Sequence, residues 1–179
     1  LAEPGKLSKL KHKEDEMLVK EAMNRNPLKI HDKATVKEAV ERMALHQAVD
    51  LVVVAEGDLV VGMLGVEEML RLLVPEFDEL LEKGTAPERL RPQRRASDTL
   101  PHLKVTEVMR RIDRPLHPEQ SLESALGILL QGGGKTYPVI SEGKLAGSLS
   151  AADVARSMMW RDQVAPAQVR PQEDRRKRQ

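Results

Sequence analysis

Residues Val19 to Leu73 recur, recognisably, as residues Val105 to Met158, and this internal repeat constrains the fold before any motif does. Met23 corresponds to Met109, Thr35 to Ser121, Ala39 to Ala125 and Gly57 to Gly143, each pair 86 residues apart. Past that glycine the offset falls to 85, so that Gly62 corresponds to Gly147. The extra residue lies in Glu56-Gly57-Asp58 of the first copy, where the second reads Glu142-Gly143-Lys144. A predicted hairpin turn is where a repeat tolerates a change of length.

Each copy reads as strand, helix, strand, turn, strand, helix. In the first, Leu28 and Ile30 flank Lys29 in a short strand, and Thr35 opens a helix. Thr35 with Glu38 three residues on is a capping-box pattern: the hydroxyl accepts from the N3 amide while the carboxylate reaches back to the N-cap amide. Val36, Ala39, Val40 and Met43 share one face at helical spacing, which predicts a buried stripe. Leu51 to Val54 is a continuous apolar run, Gly57-Asp58 turns the chain, and Leu59 to Leu64 returns it as a hairpin. Val66, Met69, Leu70 and Leu73 form a second stripe.

The second copy keeps the pattern while the letters change. Leu122, Ala125, Leu126 and Leu129 lie on its first helix, Tyr137 to Ile140 and Leu145 to Leu149 are strands, and Ala151, Val154, Ala155 and Met158 lie on its last helix. Between the copies, Pro75 opens a helical turn carrying Phe77, Leu80 and Leu81, and Gly84, Pro87, Pro92 and Pro101 predict a linker over residues 84–103. A unit of about 55 residues with three strands and two helices covers one sheet face poorly, so two units are expected to pack together.

Composition removes several function classes. The chain of 179 residues has no cysteine, which excludes disulfides, thiolate metal sites and thiol nucleophiles. No apolar run approaches the ~20 residues that span a bilayer, and Leu1 to Glu16 is charged and lacks a signal-peptide core, so a cytoplasmic location is the expectation. With 29 basic and 28 acidic residues the net charge is +1, which argues against a nucleic-acid trap. Arginines crowd the linker (Arg89, Arg91, Arg94, Arg95) and the tail (Arg170, Arg175, Arg176, Arg178), but the only aromatics are Phe77, Tyr137 and Trp160, too few for a stacking platform. His12, His31, His46, His102 and His117 show no metal-ligand spacing. No nucleophile elbow and no paired carboxylates in a hydrolase context occur, so the chain reads as a non-enzyme without a catalytic residue.

The sharpest chemical segment is Gly147-Ser148-Leu149-Ser150-Ala151-Ala152-Asp153, a strand running directly into a helix. Its first free amides and the Ser150 hydroxyl suit a phosphate, and Asp153 could accept both hydroxyls of a ribose. Ser150 and Asp153 equally fit a capping pair that stabilises the helix by about 1 kcal/mol. In the first copy Gly65 stands at the position of Ser150 and Glu68 at that of Asp153, a degenerate version of the same segment. Gly132-Gly133-Gly134-Lys135-Thr136 imitates the end of a P-loop but lacks its first glycine and runs helix to strand, so it reads as a turn.

The repeat order, a Met closing the lead-in to each copy, Ala in each first helix and the terminal Gly-x-x-Ser-x-x-Asp together resemble the cystathionine-β-synthase (CBS) domain, here as a tandem pair called a Bateman module. The resemblance implies an α+β fold of two CBS-type repeats, strand-helix-strand-strand-helix, packed as a pseudo-two-fold pair. On this reading residues 1–16 are a charged extension, 17–74 the first repeat, 75–103 a helical turn and Pro/Arg-rich linker, 104–160 the second repeat, and 161–179 a basic tail. It also implies an adenine nucleotide (AMP, ADP or ATP) as regulatory ligand, contacted by Ser150, Asp153, Gly147 and Ala151. Its adenine would lie between Ile112, Arg114 and Pro115 on one side and Tyr137 and Pro138 on the other. The first repeat departs from the pattern at Gly65 and Glu68, and Asp113 stands where the first copy has Pro27, so a second site is expected to be altered. A sensor acting as a homodimer through the stripes Val66–Leu73 and Ala151–Met158 follows from the resemblance. The alternatives are a ligand-free dimerisation scaffold or, since the chain starts at Leu1, a regulatory part of a larger channel, transporter or enzyme.

Overall fold

The computed structural model describes residues 17–74, 77, 78, 82, 84, 94–132 and 136–160. The expected N-terminal extension, the basic tail, Leu80, Leu81, Arg89, Arg91 and Gly133 to Lys135 lie outside the described residues. The first copy comprises a lead-in turn α1 (Val19–Ala22), β1 (Lys29–His31), α2 (Val36–His46), β2 (Asp50–Val54), β3 (Val60–Gly65) and α3 (Val66–Leu73). After helix α4 (Arg94–Thr99), the second comprises the lead-in turn α5 (Val105–Val108), α6 (Leu122–Gln131), β4 (Tyr137–Ser141), β5 (Lys144–Leu149) and α7 (Ala151–Met159).

Helix α2 starts as its sequence requires. The Glu38 amide donates to the Thr35 hydroxyl at 3.3 Å and the Thr35 amide donates to the Glu38 carboxylate at 2.7 Å. Val36, Ala39 and Met43 are buried against the sheet, whereas Val40, expected in the same stripe, is 45% exposed because it sits at the stripe's edge. In α3 only Met69 of the expected apolar positions is fully buried, while Val66 faces outward at the first turn. In the first sheet β1 runs parallel to β2 and β2 antiparallel to β3, with Leu51 opposite Leu64. Strand β2 is buried on both faces: Leu51 and Val53 join the first core, and Val52 and Val54 pack with Met63 against Ile112 and Leu145 of the second copy.

The second sheet keeps only β4 and β5, antiparallel, with Leu116 bridging parallel to Val139 where a third strand is expected. The loss has a donor-counting cause. In the first copy the Asp32 amide extends the β1–β2 ladder by donating to the Val54 carbonyl at 2.9 Å. Its counterpart is Pro118, and the Val52 amide, which donates to the Leu28 carbonyl at 3.0 Å, has Pro138 as its counterpart; neither proline has an N–H to donate. The stretch expected as linker is also partly regular: Arg94–Thr99 is helical, and Leu100 is buried in the first core. Pro101 fits the first turn of the short 3-10 helix Leu100–His102, so it shapes that element instead of breaking it.

The copies exchange their lead-in segments. Val19 and Ala22 of α1 belong to the second core, with Leu116, Leu122, Ala125, Leu129, Val139, Leu149 and Val154. Val105 of α5 belongs to the first. The hydrogen bonds follow a pseudo-two-fold: Val36 N donates to Leu103 O and Leu122 N to Met17 O, and likewise Val105 N to Ala34 O and Val19 N to Gln120 O. Asn24 exchanges both main-chain bonds with Ser148 of β5, at 2.8 and 2.9 Å, as Arg110 does with Met63 of β3, at 2.8 and 3.0 Å. The repeated Met and Gly of the sequence meet at this crossing. A Cβ on Gly62 would lie 2.5 Å from Met109 Sδ and 2.8 Å from the Arg110 carbonyl, and one on Gly147 would lie 2.7 Å from the Asn24 carbonyl.

Gly62→Ala and Gly147→Ala are each expected to lower stability by about 1–3 kcal/mol, since backbone as well as a methionine side chain must give way. Gly127→Ala, in open space on α6, is expected to raise it by about 0.5–1 kcal/mol, and denaturant midpoints distinguish the three. The backbone and hydroxyl of Thr35 hold the Glu38 carboxyl below its ordinary value. Its contribution is therefore present above the ordinary carboxylate pKa and is lost as pH falls through the lower folded value. Thr35→Ala should return the Glu38 titration, followed by NMR, toward the ordinary range.

Candidate functional site

Strand β5 delivers Ser150 in extended conformation to the start of α7, where it is the N-cap. The Asp153 amide donates to Ser150 Oγ at 3.3 Å, while the Ser150 amide and hydroxyl donate to Asp153 Oδ2 at 2.9 and 2.7 Å. Arg156 Nη2 lies 3.4 Å from both Asp153 Oδ1 and the Ala22 carbonyl. The pair thus forms a reciprocal capping box, with Ala151 as the first helical residue. Gly147 lies against Met23 and Asn24. The exchange therefore sets this helix end beside the lead-in of the first copy.

The equivalent end of α3 faces the lead-in of the second copy. Gly65 is the N-cap, and its amide donates to Glu68 Oε2 at 2.8 Å. Arg110 Nη1 reaches across from the second lead-in to Glu68 Oε1 and Oε2, at 3.2 and 3.1 Å, and to Asp50 Oδ1 at 3.3 Å. The side chains of Glu68 and Asp50 are 8% and 9% exposed, and that of Arg110 28%. One guanidinium thus compensates two carboxylates that burial would otherwise penalise heavily. Asp50 also bears on the missing hydroxyl: a Cβ on Gly65 would lie 2.5 Å from Asp50 Oδ1 and 2.8 Å from Glu68 Oε2, so a serine there would have to displace these carboxylates from their present positions. In the second copy Thr136, Asn24 and Ser150 occupy the places of Asp50, Arg110 and Gly65, and the ion cluster is absent.

Beside Arg110 opens a cleft of about 550 Å³. Its walls are Met63 of β3, residues 110–114, the end of α6 (Ile128, Gln131, Gly132) and the start of β4 (Thr136, Tyr137, Pro138). Tyr137 packs on the second core with its hydroxyl over Gly132. Arg114 Nη1 donates to Gln131 Oε1 at 3.3 Å. The cleft offers flat apolar surfaces beside exposed guanidinium groups, a combination suited to an aromatic ring with an attached anion.

Residues 19–75 and 105–159 both match the CBS domain family. The chain is a CBS-domain protein. Among solved structures it is similar to CBSX2 in complex with AMP, at 22% identity and TM-score 0.61, covering 79% of this chain and 96% of that one. The CBS domain pair of protein MJ0100 in complex with 5′-methylthioadenosine and S-adenosyl-L-methionine is 16% identical at TM-score 0.55, over 79% and 99% of the two chains. The CBS domain of a CBS domain containing membrane protein from Sphaerobacter thermophilus is 18% identical at TM-score 0.59, over 85% and 94%. At these identities the likeness is one of fold. Comparison with curated protein sequences gives no match.

Of the residues singled out in the sequence, the CBS pair brings Ile112, Arg114, Tyr137 and Pro138 together around one cleft. Ser150, Asp153, Gly147, Ala151 and Pro115 do not line it. Sequence reasoning missed Met63, Arg110, Arg111 and the end of α6. The signal for Met63 and Arg110 was present in the repeat: they sit one residue past Gly62 and Met109, whose pairing with Gly147 and Met23 marks the crossing. Among the described residues no group of three His, Asp or Glu side chains could hold a metal ion, and no helix is long and apolar enough to cross a membrane.

Arg110→Ala leaves two buried carboxylates facing one another and is expected to cost about 2–4 kcal/mol. Arg111→Ala, next along the cleft and exposed, should stay within about 0.5 kcal/mol, as thermal unfolding of the two variants would reveal.

Proposed function

We propose that this CBS pair is a regulatory module whose cleft binds an adenine nucleotide of the AMP, ADP or ATP class, and that occupancy is passed on by conformational change. The observation that carries the reading is the chemistry of the cleft walls. Met63, Ile112, Ile128, Tyr137 and Pro138 supply apolar surface for a base, and Arg111 and Arg114 supply guanidinium groups for phosphate. A volume of about 550 Å³ lies within the usual range for small-molecule sites. Solved CBS pairs of the same fold carry AMP in one case and 5′-methylthioadenosine with S-adenosyl-L-methionine in another, which supports an adenosine-type ligand.

A second reading, a dimerisation scaffold without ligand, draws on a different observation. Val66 and Leu72 on α3 and Met158 and Met159 on α7 are exposed, as is Trp160 after it. Those helices suit a homodimer interface, which a sensor and a scaffold would share.

Calorimetry of nucleotide-stripped protein against AMP, ADP, ATP and S-adenosyl-L-methionine tests the reading. One adenine nucleotide should bind, and Ile112→Asp or Arg114→Ala should weaken it about tenfold or more. Loss of binding with Asp153→Asn instead would move the ligand to the start of α7 beside Asn24. No heat from folded protein that sediments as a dimer would favour the scaffold.

A further inference from the structure

We infer that Arg110 is the residue through which the cleft reads an anionic group and transmits its presence to helix α3, an inference that rests on the proposal of an adenosine ligand in that cleft. Four observations carry it. Arg110 lines the cleft, yet its Nη1 is engaged by Glu68 and Asp50 outside the cleft wall. Its Nε and Nη2 make no hydrogen bond or ion pair among the described residues, so the guanidinium retains donors for a ligand. Its main chain is fixed by reciprocal bonds to Met63, which leaves the side chain as the part able to shift. Glu68 is at the same time the residue that caps α3 through the Gly65 amide.

A phosphate in the cleft competes with Glu68 and Asp50 for one guanidinium. As the phosphate gains it, the two carboxylates lose compensation and the start of α3 loosens. By linkage, a partner that binds the loosened helix end in preference must favour the phosphate by the same factor. The second CBS domain has no such strut. Asn24 stands at the position of Arg110, and Asp153 pairs with Arg156 of its own helix. The device is thus one-sided: it acts on α3, whose exposed Val66 and Leu72 offer a face to a partner.

The test uses the whole chain with AMP and adenosine as probes, calorimetry for affinity and hydrogen exchange of the Gly65 to Val74 amides for the helix. AMP should bind about tenfold or more tightly than adenosine, and that ratio should fall toward one in Arg110→Gln. The double variant Glu68→Gln with Asp50→Asn keeps similar shapes and frees the guanidinium, so it should raise the ratio about threefold or more, giving an opposite sign should Arg110→Gln fail to fold. AMP, and not adenosine, should speed exchange in α3 of the unaltered protein. An unchanged ratio in both variants, or bound AMP without faster exchange, would overturn this inference while leaving the binding proposal standing. Absence of heat with either probe would overturn both.

Discussion

Everything in this molecule hangs on the reciprocal crossing of the two lead-in segments. Four main-chain hydrogen bonds, between Asn24 and Ser148 and between Arg110 and Met63, fasten each lead-in to the sheet of the other copy. Val19, Ala22 and Val105 then complete cores that their own repeats leave open. The crossing requires backbone to lie against backbone, and that is possible only because Gly62 and Gly147 present no side chain. The cleft, the ion cluster and the orientation of both second helices are set by the same contact.

Much of this was legible in the sequence, for reasons that can be named. Thr35 and Glu38 form the capping box their spacing implies, because capping is decided within four residues. The Gly62–Gly147 and Met23–Met109 correspondences were visible, and their shared purpose is steric. The shortened second sheet could also have been read from Pro118 at the position of Asp32, by asking where a ladder donor goes missing. The candidate site was legible only in part. Ile112, Arg114, Tyr137 and Pro138 do converge on one cleft, whereas Ser150 and Asp153, grouped with them on the family resemblance, are not among its lining residues. The exchange is a long-range choice that local periodicity does not encode, so Met63 and Arg110, far apart along the chain, went unpaired.

The two copies also diverge in a correlated way. Asp50, Gly65, Glu68 and Arg110 form a charged set around one helix end, and Thr136, Ser150, Asp153 and Asn24 form a hydroxyl- and amide-based set around the other. Gly65 and Asp50 go together because a Cβ at 65 would press on the carboxylates in their present arrangement. Arg110 in turn gives the two acids a counter-charge. Single differences between the repeats therefore read as members of a set, and the set removes the equivalence that the pseudo-symmetry would otherwise impose.

The position of Val105 in the first core has a consequence for how the chain comes to fold. The first sheet and its helices are complete in sequence by Leu73, yet the core they enclose is closed by residues from Leu100 onward. A nascent chain emerging from its N-terminus thus carries an open apolar face until the second lead-in arrives, and Val19 and Ala22 wait longer still for Val154. The first repeat cannot close its core before synthesis of the second has begun. The pair is the smallest piece that closes, the first core waiting for the second lead-in and the second core for the last helix.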